Sequence, residues 1–109
     1  MKPQIVRHGE VILKPTDLPT NAVLKETAKQ YIVAHSETGH HHVLRSIDNY
    51  KVFTANGDTY IRLGTVGELF HEKTGKDVHT THTIAPATYK VIIKKSYDYF
   101  QKKMSQVRD

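Results

Sequence analysis

The 109-residue sequence contains no cysteine, which excludes a disulfide framework, a thiolate metal site and a cysteine nucleophile. No apolar run approaches the roughly 20 residues that a membrane-spanning helix needs, so a membrane partner is not expected. Residues 1–10 lack the apolar stretch of a signal peptide, which makes a cytoplasmic location the expectation. Glycine-rich phosphate loops and a Gly-x-Ser-x-Gly elbow are missing. So are helix-turn-helix spacing and RNA-binding aromatic signatures. Repeats, linkers and low-complexity tracts are absent as well, and the length suits one domain spanning residues 1–109.

What is present is histidine and a lopsided positive charge. Six of the eight histidines (His40, His41, His42, His71, His79, His82) fall between residues 40 and 82. The formal net charge is +5, and residues 90–109 supply +4 of it through Lys90, Lys94, Lys95, Lys102, Lys103 and Arg108 against Asp98 and Asp109. The body of the chain is therefore nearly neutral, and about the last ten residues form a basic tail.

Period-two alternation runs through most of the chain. Tyr89, Val91 and Ile93 share one face of a strand, while 31–35 and 50–54 are rich in β-branched and aromatic residues. Asn56-Gly57 predicts a type I′ turn joining 50–54 to 59–63. Short strands are expected at 5–6 and 11–13, broken at Gly9, and at 68–72, with a turn at 74–77. Ala85-Pro86-Ala87 marks a bend. Residues 22–30 permit a short helix capped by Asn21, and 99–108 suit a final helical turn or a mobile tail. The reading is an all-β, mainly antiparallel domain of seven to nine short strands, a small barrel or sandwich.

In a strand through Thr38-Gly39-His40-His41-His42-Val43-Leu44, His40 and His42 share a face with Leu44, their Cα atoms about 6.5–7 Å apart. His71 shares a face with Leu69, and pairing of 68–72 with 78–82 brings His79 alongside. Three imidazoles and a water make a catalytic zinc shell. His40, His42, His71 and His79 are thus the candidate ligands, with Glu37 or Glu72 as base. A carboxylate in the shell shifts preference towards manganese or iron, and nickel also accepts imidazole. A metal-bound water at such a site attacks an electrophile near neutral pH. Two alternatives stay open. The same histidines can act without metal as general acid and base in a phosphodiesterase or nuclease, or they can be structural. His8 and His35 share faces with apolar neighbours and read as core or edge histidines.

Tyr97-Asp98-Tyr99-Phe100 follows the last apolar strand. Tyr97 is a candidate proton donor and Tyr99 a candidate substrate stack, against the plainer reading that both close a barrel mouth. Lys90 and Lys94 are candidate anion-binding residues, against the plainer reading of a solvated edge guarded by lysines.

These blocks together, Thr38-Gly39-His40-x-His42, a histidine at His71, another at His79, Ile84-Ala85-Pro86-x-x-Tyr89-x-Val91 and Tyr97-Asp98-Tyr99-Phe100, resemble a small uncharacterised family of bacteria and phages. Its pattern reads TGHxH, two further histidines, LPPGxYxV and REYDY. Here Ala87 stands for the glycine, Lys95-Ser96 precedes Tyr97, the spacer between His71 and His79 is longer, and His41 and His82 are extra. The resemblance carries no activity; it implies a bacterial or phage-infected cytoplasm, and it makes an extended run competitive with a helix at residues 22–30. The expected function is a metal-dependent hydrolase acting on a nucleotide or phosphoester. The metal-free enzyme and a non-enzymatic nucleic-acid- or partner-binding module are the competing readings.

Overall fold

The computed structural model describes residues 2–34, 41–72 and 81–94. They form eight strands: β1 (Val6–His8), β2 (Val11–Pro15), β3 (Val23–Ala34), β4 (His41–Ala55), β5 (Asp58–Arg62), β6 (Gly67–Glu72), β7 (His82–Ile84) and β8 (Thr88–Ile93). Every pairing among them is antiparallel. Among the described residues there is no helix, and so none long and apolar enough to cross a membrane.

The order along the sheet is β1-β2-β8-β5-β4-β6-β7, with β3 added along β4. The length of β4 makes this path curl. Its residues 41–46 pair with β6, while 51–55 pair with β5. The two ends of the path, β1 and β7, come back into contact. The result is a nearly closed, barrel-shaped sheet.

Local chemistry sets the turns. Asn56 and Gly57 both have positive φ, 54° and 82°, the type I′ geometry whose twist suits a hairpin, as their order in the sequence predicts. Gly9, at φ 63°, takes the first central position between β1 and β2, and Glu10 follows it without a left-handed φ, which is the II′ pattern. Pro86 sits in the bend between β7 and β8, where no ladder hydrogen bond is required of it.

Inside the barrel, Val11, Leu13, Leu44, Tyr50, Val52, Ile61, Leu69, Ile84 and Tyr89 are buried together. Each comes from the inward phase of its strand, so alternation converts directly into one apolar core.

At two elements the structure decides what the local pattern left open or read otherwise. Residues 22–30 are extended, because β3 pairs with β4 from Val23↔Thr54 to Ala34↔His42. A segment of weak intrinsic preference takes the conformation its partner imposes. The register shifts between Leu24 and Glu26, Ala28 and Gln30, and Ile32 and Ala34, and such bulges twist an edge strand away from further pairing. Residues 40–44 and 50–54 read as separate strands, but from His41 onwards one continuous β4 includes both, with Ile47, Asp48 and Asn49 exposed at its middle. The Tyr50 hydroxyl donates to the Leu44 carbonyl across that stretch. The expected turn at 74–77 and the helical turn at 99–108 lie outside the described residues.

Candidate metal centre

Four strands carry the same two-step sequence, an apolar residue and a histidine separated by one position: Val6-x-His8, His42-x-Leu44, Leu69-x-His71 and His82-x-Ile84. Because alternate residues share a face, each histidine stands on the inward phase of its strand, one layer beyond a core residue. Register then aligns the layer. His42 lies opposite His71 and Leu44 opposite Leu69. His82 lies opposite Leu69, and β1 approaches β7 from the far end of the sheet. Leu44 and Leu69 thereby form an apolar step topped by the His42–His71 pair, with His82 beside Leu69 at its flank.

The rings are close. The Nδ1 atoms of His8 and His42 stand 2.9 Å apart. Ring centres are 5.1 Å apart for His8–His42 and 5.0 Å for His8–His82, both perpendicular. They are 6.1 Å apart for His8–His71, and 4.6 Å for His42–His71, which stack at an interplanar angle of 13°. His8 and His42 are buried, at 7% and 5% exposure. Burial, reinforced by the neighbouring His71 and His8 rings, pulls the pKa of His42 down to about 4. At neutral pH that imidazole is uncharged, the form in which histidine binds metal.

The other side of His42 is held from the β1–β2 turn. Its Nε2 lies 3.9 Å from Oε1 of Glu10, and Gly9 is so close that a Cβ there would meet His42 Cε1 at 3.0 Å. At that distance the Glu10 carboxylate makes no hydrogen bond to the ring and faces its outer nitrogen as a charge.

Distances permit a direct test of fit. Two nitrogens each about 2.05 Å from one ion are ~2.9 Å apart at a right angle and ~3.3 Å apart at the tetrahedral angle. The observed 2.9 Å matches the former. It is also the length of a hydrogen bond between neutral rings, one donating and one accepting. Imidazole centres around a common ion are separated by roughly 4.5–5.2 Å on the same bond length, a range that includes the perpendicular His8–His42 and His8–His82 pairs, whereas the stacked His42 and His71 rings lie in near-parallel planes that no single ion can share. Among the described residues no three donors form a ready-made shell. The described arrangement is a hydrogen-bonded imidazole pair with two further imidazoles beside it.

Of the residues singled out by sequence, His42 and His71 are brought together face to face. His40, His79, Glu37, Tyr97 and Tyr99 lie outside the described residues. Glu72 pairs with His41, one register step beyond the His42–His71 pair. Lys90 does not join the layer: it alternates with the buried Tyr89 and Val91 and sits 3.5 Å from Asp58. Lys94 is exposed at the histidine end, its backbone N–H donating to the Glu10 carbonyl at 2.7 Å. His8, read from the sequence as a core or edge histidine, is buried, while His82 and Glu10 were not among the candidate site residues. The signal that finds the two histidines is the apolar-x-His step itself, which they share with His42 and His71.

A family model for a domain of unknown function (DUF8820) matches residues 7–94. The chain belongs to this family. The matched region includes His8, His42, His71, His82 and both ends of the barrel seam, and the family's description assigns no activity. Neither the curated proteins nor the solved structures contain a match, so a functional reading rests on the geometry of the domain itself.

Proposed function

We propose that this protein is a small metal-dependent hydrolase. In this reading the imidazole layer holds a divalent transition-metal ion, and the substrate is an anionic nucleotide or phosphoester. The observation that carries the reading is the pair of buried Nδ1 atoms 2.9 Å apart. Four inward positions that elsewhere in the sheet hold Leu, Ile or Val hold histidine instead. Replacing apolar core contacts with imidazoles sacrifices burial energy of roughly 1.5–3 kcal/mol per side chain, and departures of this kind from the core pattern mark functional sites.

His8 and His42 supply the first two ligands, and His71 or His82 completes the shell by turning about its side-chain bonds. Glu10 faces the outer nitrogen of the His42 ring at 3.9 Å. Imidazole suits zinc, iron and nickel, with manganese the other candidate, and the right-angle spacing of the Nδ1 pair favours the six-coordinate ions manganese, iron or nickel over tetrahedral zinc. A bound ion of this class lowers the pKa of its water towards 7. In hydrolysis the water oxygen bonds to phosphorus, the phosphorus–oxygen bond to the leaving group breaks, and the departing alkoxide takes up a proton.

The test is metal analysis of protein purified without nickel affinity, paired with hydrolysis of a chromogenic phosphoester. The reading expects about one ion per chain in the wild type, loss of that ion in His8→Ala and His42→Ala, and turnover that chelator abolishes and added zinc or manganese restores. Less than about a tenth of an ion per chain, with turnover unchanged in chelator, overturns it. A bell-shaped pH profile in that circumstance would establish the metal-free acid–base enzyme in its place.

A further inference from the structure

The sheet path ends at β1 and β7, each three residues long. Among the described residues, β1 pairs only with β2, and β7 only with β6. The two strands approach each other without a ladder, so the seam presents backbone groups from both edges. A recess of about 270 Å³ opens there, lined among others by Lys2, Gln4, Arg7, His82, Thr83 and Tyr89.

Three features give this recess a chemical preference. Its lining contains two cations and no carboxylate, whereas the recess beside Ile47 includes Glu68 and the one beside Val33 includes Asp58. Among the described residues neither Lys2 nor Arg7 has an ion-pair partner. His82 belongs to both places: it lines the recess and stands 5.0 Å, ring centre to ring centre, from His8. An anion seated between Arg7 and Lys2 is therefore one side chain away from the donor pair.

We propose that the β1–β7 recess docks the phosphoryl group of a small phosphomonoester, with Arg7 and Lys2 as its binding residues. This deepens the hydrolase reading and rests on it for the link to chemistry. Guanidinium donors arranged as a fork suit tetrahedral phosphoryl oxygens, and an ammonium adds a point charge. The volume decides the size of the ligand. Pockets for small molecules run from about 300 to 1,000 Å³, so at about 270 Å³ this recess suits a phosphoryl group with a compact leaving group.

The experiment is a calorimetric titration of inorganic phosphate and of phenyl phosphate, with the His82 ring resonances followed by NMR. The proteins are the wild type, Arg7→Ala, Lys2→Ala and, as a control for general charge, Lys51→Ala from the exposed part of β4. Each is measured in chelator and with added zinc. Saturable binding is expected, with movement of the His82 resonances, a weakening of about tenfold in Arg7→Ala and a lesser one in Lys2→Ala. Lys51→Ala should match the wild type. Absence of saturation, or equal weakening in all three variants, overturns the proposal. Preference for a 5′-phosphorylated oligonucleotide over phenyl phosphate overturns the small-ligand assignment. Metal content separates the two readings: bound metal without phosphate saturation removes the docking site alone, and phosphate saturation without metal in any preparation removes the metal centre alone.

Discussion

Replacing Gly9 by alanine tests whether the β1–β2 turn holds the His42 ring in place. Gly9 has φ 63°, and an L-residue there costs about 1–2 kcal/mol from Cβ sterics alone. The added Cβ would also lie 3.0 Å from His42 Cε1 and 3.5 Å from Nε2. Ordinary carbon contacts need about 3.5–4.0 Å, so the ring must yield by several tenths of an ångström. It has little freedom to do so: it is 5% exposed, stacked on His71 and in contact with His8 through Nδ1. Any shift opens the 2.9 Å donor pair. Gly57 is the matched control, because it has φ 82° and an added Cβ there meets nothing within 4 Å. Gly57→Ala pays the backbone cost without touching the histidines. In urea unfolding of the chelated protein Gly57→Ala should lose about 1–2 kcal/mol, and Gly9→Ala more, because the contact with the His42 ring adds to the same backbone cost. Only Gly9→Ala should lose metal affinity, by about 10–100-fold in a competitive titration against a chromogenic chelator, the usual scale for disturbing a ligand's support. Wild-type metal affinity in Gly9→Ala, or an equal loss in Gly57→Ala, refutes the reasoning.

Two further predictions concern stability. His42 has its folded pKa pulled from 6.5 to about 4 by burial and by its imidazole neighbours, so the unfolded chain takes up a proton before the native one does. Stability of the chelated protein is therefore full above about pH 6.5 and declines as the pH falls towards 4, by about 2 kcal/mol between pH 7 and 5. Urea unfolding at those two pH values should show this decline in the wild type and lose most of it in His42→Gln; an unchanged slope in the variant would contradict the assignment. Tyr50 is 2% exposed, with its hydroxyl donating to the Leu44 carbonyl, and burial, then the charges of Glu26 and Tyr31, hold it well above the usual phenol pKa. Tyr50→Phe should cost about 1–2 kcal/mol and leave metal affinity unchanged, and a stability equal to wild type would show that the hydrogen bond contributes nothing net.

Read alone, the chain reveals what is local. Alternation at Tyr89, Val91 and Ile93 marks a strand with an apolar face, and Asn56-Gly57 marks a hairpin, because side-chain phase and left-handed φ depend on immediate neighbours. The same logic put His42 on the face of Leu44 and His71 on the face of Leu69. Tertiary structure decided the rest. Residues 22–30 are extended because β4 offers a partner, not because their own preference is strong. His8 joins His42 from 34 positions away because the curl of β4 returns β1 to β7, and no local pattern states which strand ends meet. The seam recess arises from that same meeting of two short edges, so its cations, Lys2 and Arg7, acquire their significance only once the sheet has closed.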